Sequence, residues 1–255
     1  MKRVVTALVL IPVSAYLLVW APAWLFLLGA CAVAFLCFHE YLGLVRAFGL
    51  NANQAIGYGI GAGILLGDVK YSPLLLLTGL LAMTLATFAK DLKQSLPQAG
   101  GMVLGLVYVF AAWRAGIELH AMHAYWLVFA VSINWAGDSM AYFVGRAIGK
   151  HKLAPAISPG KSREGAIASW AASCAYSVAF MHYLLPVVDL AHVLMFATAA
   201  NIAGQVGDLA ESALKRGAGV KDSGTSLPGH GGWLDRLDSS LFSMPVVYVL
   251  VRLTL

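Results

Sequence analysis

Charge is what this chain has least of. Only 11% of its 255 residues are charged, while 60% are hydrophobic. So little charge, with a mean hydropathy of +0.78, excludes an ordinary soluble domain and points to a polytopic membrane protein. Cysteine is also scarce. Cys31, Cys37 and Cys174 lie inside apolar stretches without Cys-x-x-Cys spacing, which reads as three buried thiols and implies neither a disulfide framework nor a zinc site. No low-complexity tract or evident repeat is present. The chain is basic, with a net charge of +5, but its cations sit in short interhelical loops without stacking aromatics. Nucleic-acid binding is therefore a poor explanation.

What is there is a series of apolar runs. They predict an all-α, polytopic integral membrane protein of about nine transmembrane helices: Val4–Trp20, Ala23–Phe38, Ala55–Gly67, Leu74–Ala89, Gly101–Ile117, Tyr125–Val144, Ala166–Leu185, Ala191–Val206 and Leu241–Leu255. The whole chain reads as a single membrane domain. Residues 1–123 supply N-terminal helices to which the sequence gives no role, and residues 124–255 supply the helices and loops expected to carry the chemistry. The third run rises only ~20 Å, and its Gly57, Gly59, Gly61, Gly63 and Gly67 signal either close packing or a broken segment. The start imitates a signal peptide, but its apolar run is long and a second follows at once, so a retained first helix is expected. With the N-terminus inside, fourteen of the seventeen Lys and Arg residues fall on the inner side; Lys70, Arg114 and Arg252 are the exceptions. That bias predicts cytoplasmic loops around Lys150 and Lys221.

Polar residues concentrate in three places. Asn201, Gln205, Asp208, Ser212 and Lys215 follow one another at intervals of four, three, four and three, which puts them on one helical face. Such a stripe must face protein or water. Hydrogen bonding between helices is the simpler reading; the wall of a cytoplasm-facing polar cavity, with Asp208 as a metal ligand, is the sharper one. A second stripe runs through Asn134, Asp138, Tyr142 and Arg146, and Asp138 needs a cation or donor nearby. The loop beyond it holds Ser158, Lys161, Ser162, Arg163 and Glu164, with Ser162 placed to cap the next helix. His39 with Glu40, and Arg114 with Glu118, read as structural.

The third place is Ser212 to Asp238. It sets Lys215, Arg216 and Lys221 beside Asp222, Asp235 and Asp238, around a Pro-Gly-His-Gly-Gly turn containing His230. Cations to meet phosphate oxygens, glycines for close backbone approach and carboxylates for a hard divalent ion suit a metal-bound polyphosphate. The segment resembles the signature of phosphatidate cytidylyltransferases: Ser-x-apolar-Lys-Arg, four residues, Lys-Asp, then Pro-x-His-Gly-Gly-x-x-Asp-Arg-x-Asp. Every fixed position is present. Trp233 stands where that family usually has an aliphatic residue. Asp138-x-x-Ala141-Tyr142-x-x-Gly145-Arg146 and Ser158-Pro159-x-Lys161-Ser162-x-Glu164-Gly165 resemble two further family blocks, with Ser162 in place of Thr.

The resemblance implies transfer of a cytidylyl group from CTP to phosphatidate, giving CDP-diacylglycerol and pyrophosphate, with magnesium and room for a second cation. It implies Asp208 and Asp235 as metal ligands. Lys215, Arg216, Lys221 and Asp238 are the implied catalytic groups. Substrate contacts are implied at Ser158, Lys161, Arg163, Ser212, Asp222, His230, Arg236 and Asp138. By the same resemblance the enzyme belongs in a bacterial inner membrane, facing the cytoplasm, and homodimers occur in the family. A CTP-dependent polyprenol or phytol kinase needs similar groups, but not the whole Ser212–Asp238 pattern. A transporter using Asp138 and Asp208 for ion coupling needs no basic, glycine-rich loop.

Overall fold

The structure is a computed structural model that describes residues 2–51, 53–67, 92–186 and 188–255. Its helices are α1 (Lys2–Val19), α2 (Ala23–Ala47), α3 (Gln54–Leu66), α4 (Ser95–Met122), α5 (Ala124–Ile148), α6 (Arg163–Leu184), α7 (Leu190–Gly217) and α8 (Leu234–Thr254). Five of them, α2, α4, α5, α7 and α8, are long and apolar enough to cross a membrane. Helix α6 is long as well, but its buried face carries Ser169, Ser173 and Ser177. The expected span Leu74–Ala89 lies outside the described residues.

Local chemistry sets many of the boundaries. Pro22 precedes α2, and Gly49, with φ of 78°, follows its end in a conformation that glycine adopts without strain. Asn53 caps α3 by accepting from the Ile56 amide at 3.3 Å. Ser162 caps α6 by accepting from Gly165 N at 3.1 Å, as its position in the sequence suggests. Helix α4 carries a π turn over Leu106–Ala111.

The chain divides into two compact units. One comprises Met1–Leu17, Ala21–Ile117 and Gly217–Arg236; the other comprises Leu18–Trp20, Glu118–Arg216 and Leu237–Leu255. In the first, α3 is an unbroken helix, and two of its glycines, Gly57 and Gly61, serve packing. A Cβ on Gly57 would come within 2.9 Å of the Phe38 ring, and one on Gly61 within 2.2 Å of Phe110. Phe38, Tyr41 and Phe110 are fully enclosed there, and Tyr41 donates to the Gly101 carbonyl at 2.7 Å.

In the second unit, α5 and α6 pack side by side, and polar contacts tie α7 to α6 and α5 to α8. Asn201 donates to Ser169 and Ser173, each at 2.9 Å, and Gln205 donates to Asn201 at 2.7 Å. Asn134 donates to Ser243 at 2.9 Å. Between α5 and α6 the chain forms an antiparallel hairpin of β1 (Lys152–Ala154) and β2 (Ser158–Ser162). These short strands are an addition to the all-helical architecture read from the apolar runs.

Candidate active site

In the second unit, carboxylates on three helices lie within electrostatic range of one another. Asp208 of α7 acts electrostatically on both Asp138 of α5 and Asp238 of α8, and Asp138 acts on Asp238. Two lysines oppose them. Lys161, at the end of the hairpin, places Nζ 2.5 Å from Asp208 Oδ2 and also acts on Asp138. Lys215 acts on Asp238 and is paired with the fully buried Glu211 one turn back. Ser212 donates to Asp208 Oδ1 at 3.3 Å, while Asp238 Oδ1 accepts from the Ser239 amide at 2.7 Å.

Glycines allow this convergence. A Cβ on Gly207 would stand 2.7 Å from the Asp238 carbonyl oxygen and 2.8 Å from the Phe242 ring, so α7 and α8 touch beside Asp208. One on Gly137 would stand 2.5 Å from Ser169 Oγ, so α6 lies close against α5 next to Asp138. Neither glycine stood out in the sequence, because a helical glycine shows its use only through the neighbour it admits. The stripe on α7 thus has two parts: Asn201 and Gln205 bond to protein, and Asp208, Ser212 and Lys215 form the charged cluster.

The hairpin presents Lys161. Lys152 pairs with Ser162 and Ala154 with Ser158, and Arg163 N donates to the His151 carbonyl at 2.8 Å. Glu164 closes the base: its Oε1 is 2.6 Å from His151 Nδ1 and 3.2 Å from His151 N. Hydrogen bonds from its own backbone amide, and next from the His151 side chain, hold the Glu164 carboxyl down at about 2. Ser158 is half-buried and Arg163 exposed. Arg146 donates to the Tyr142 hydroxyl at 3.0 Å.

The signature loop, Gly217–Arg236, belongs to the first unit, together with α2. Asp235 Oδ2 accepts from Ser223 N at 2.9 Å, Ser223 Oγ at 3.0 Å and Gly232 N at 2.7 Å. Gly231 turns with φ of 80°, and a Cβ on it would come 2.6 Å from Asp235 Oδ2, so no other residue fits without strain. Leu227 N bonds back to the Gly231 carbonyl at 2.9 Å. Lys221, Asp222 and Arg236 are exposed, as is Arg216 at the end of α7. His230 Nδ1 is buried without a hydrogen-bond partner. Glu40 of α2, which the sequence marked only as a structural residue, is buried against this loop. A carboxylate buried in an apolar helix was the available signal.

Of the residues implied by the sequence, Asp138, Ser158, Lys161, Arg163, Asp208, Ser212, Lys215, Arg216 and Asp238 fall in the second unit. Lys221, Asp222, His230, Asp235 and Arg236 fall in the first. The oxygen-only donors suit a hard divalent cation. Among the described residues, however, no three His, Cys, Asp or Glu side chains stand grouped as a ready metal-holding cluster. The ammonium of Lys161 neutralises Asp208 instead.

A family model described as the cytidylyltransferase family matches residues 1–254. A Bacillus subtilis phosphatidate cytidylyltransferase is 37% identical over 177 residues, covering 68% of this chain and 65% of the relative. The Staphylococcus saprophyticus phosphatidate cytidylyltransferase is 34% identical over 190 residues, covering 74% and 72%. One from Staphylococcus haemolyticus is 38% identical over 148 residues, covering 58% and 54%. The matches thus span from about half to under three quarters of these relatives.

Proposed function

This chain belongs to the cytidylyltransferase family, and from that membership we propose that it transfers the cytidylyl group of CTP to phosphatidate, giving CDP-diacylglycerol and pyrophosphate. The observation that carries this reading is the electrostatic cluster of Asp138, Asp208 and Asp238 with Lys161 and Lys215. The phosphate of phosphatidate is already an anion at neutral pH, so no side-chain base has to create the nucleophile. Its oxygen attacks the α-phosphorus of CTP, a new phosphoanhydride bond forms, and the α–β bond breaks to release pyrophosphate. The obstacle is repulsion between two anions, which supports a role for lysines and a metal site.

In this reading Asp208 and Asp235 are the residues that would hold magnesium, with any second cation. When bound it supplies charge neutralisation and orientation of the displaced phosphates. Asp138 and Asp238 add negative potential around Asp208. Lys215, Arg216 and Lys221 receive the leaving pyrophosphate, with Asp222, Ser212, His230 and Arg236 shaping the nucleotide side. Lys161 and Arg163, supported by Ser158, take the lipid phosphate. About nine crossings of a bacterial inner membrane, a polar cavity open to the cytoplasm and a homodimer complete the proposal. The excess of inner Lys and Arg supports the orientation.

The test is purified protein in mixed micelles with CTP and magnesium. Pyrophosphate should appear only when phosphatidate is added, with CDP-diacylglycerol in equal amount. CDP without pyrophosphate would identify a lipid kinase, and no CTP consumption would leave a transporter.

A further inference from the structure

We propose that Glu40, on the second helix, is the positioning residue of the signature loop, setting the conformation that carries Asp235. The proposal rests on the reading of that loop as part of the active site. It deepens that reading by adding a residue from the N-terminal helices, which had no role in it.

A carboxylate has about four lone-pair sites, and loop donors reach all four at Glu40. Oε1 accepts from Ser226 Oγ at 2.8 Å and from Trp233 N at 3.1 Å. Oε2 accepts from Ser223 Oγ at 3.0 Å and from Leu234 N at 2.9 Å. Two of the donors precede the glycine turn and two follow it, so one side chain closes the turn from both ends. Gly224 and Gly232 make room for it. A Cβ at either would fall 2.7 or 2.1 Å from a Glu40 oxygen. Their lack of side chains reflects the seat of Glu40, in addition to any approach of a ligand.

Ser223 carries the effect onward. Its Oγ is 3.0 Å from Glu40 Oε2 and 3.0 Å from Asp235 Oδ2, and its single proton turns to one of them at a time. Glu40 thereby sets Ser223, and Ser223 with Gly232 sets Asp235 at the start of α8. Glu40 acts only through these residues, so its role is positioning.

Charge and two-sided acceptance are both required. In Glu40→Gln, the amide nitrogen would face either the Trp233 or the Leu234 N–H, donor against donor, and a buried amide would lose its acceptor. Glu40→Asp keeps an all-acceptor head on a shorter stem.

The test combines tryptic cleavage after the exposed Lys221 with CTP kinetics, on full-length protein in detergent. Glu40→Gln should speed cleavage at Lys221 at least about tenfold, the scale of losing one hydrogen bond to a charged acceptor. Its kcat/KM for CTP should fall by a similar factor, mainly through KM, because fewer molecules hold the competent loop. The thermal midpoint of the helices should stay close to the parent's, and Glu40→Asp should recover part of both losses. Parent-like cleavage and kinetics in Glu40→Gln would overturn the proposal. So would faster cleavage that only follows a collapsed midpoint and is not relieved in Glu40→Asp. If Glu40→Gln does not fold, Ser226→Ala decides: it removes one exposed donor and should raise cleavage at Lys221 severalfold, an unchanged rate counting against the idea. A parent protein that does not turn over CTP overturns the proposed function and leaves the cleavage result to judge Glu40.

Discussion

Lys161 and Asp208 meet with Nζ 2.5 Å from Oδ2, joining the end of the β-hairpin to the middle of α7. Both side chains are roughly a quarter exposed, so the pair is open enough to separate when a ligand arrives. Each partner restrains the other, and the proposed reaction gives each a second use: a phosphate for the lysine, a cation for the aspartate.

Asp208→Asn keeps the shape and removes the charge. Turnover of CTP with phosphatidate should drop by about a hundredfold or more, the scale of losing one electrostatic contact to a transition state. Asp235→Asn should do the same. The helical content and thermal midpoint of both variants should match the parent. Near-normal turnover in either would remove that residue from the cation site.

Thr225 is exposed in the signature loop, which makes Thr225→Cys a reporter of sidedness. On a background lacking Cys31, Cys37 and Cys174, an impermeant maleimide added to intact cells should leave it unlabelled. The same reagent should label it after the cells are opened. Labelling from outside would reverse the proposed orientation.

Glu164 gives the hairpin a pH dependence. Its carboxyl is lowered from 4.5 to about 2 by hydrogen bonds from its own backbone and from His151. A depressed carboxylate stabilises the fold above its unfolded value, and that contribution is lost as pH falls from about 4.5 through about 2. Amide exchange in the segment 150–165 should therefore rise across that window, after correction for intrinsic exchange. Glu164→Gln should show high exchange already at neutral pH and little further change on acidification.

Packing at Gly204 can be tested by relief. A Cβ there would lie 2.0 Å from Asn134 Oδ1, so Gly204→Ala should destabilise the protein by about 1–3 kcal/mol, as overpacking does. Adding Asn134→Ala should recover much of that loss, read as thermal midpoints in detergent. Strictly additive losses would show that the two positions are not in contact.

Local patterns were the legible part of this molecule. The intervals separating Asn201, Gln205, Asp208, Ser212 and Lys215 put them on one helical face, and the hydroxyl of Ser162 before Arg163 marked a helix start. The functional resemblance likewise lay in contiguous blocks. Contacts between distant segments were not legible. Nothing local says that Lys161 would find Asp208, or that Glu40 would be enclosed by a loop some 190 residues later. The hairpin was hidden as well: β1 and β2 are three and five residues long, too short for alternation to emerge from a basic, proline-containing loop. Helix α8 begins at Leu234 rather than at the apolar run near Leu241, because charged residues in its first turns masked its helical period.

The distance along the chain between Glu40 and its loop also imposes an order in time. Synthesis proceeds from the N-terminus at about 5–20 residues per second, and Ser223 follows Glu40 by 183 residues. For on the order of tens of seconds the nascent second helix therefore carries a carboxylate whose four donors have not yet been made. The first unit therefore cannot reach its final state until the segment through Leu234 has been made.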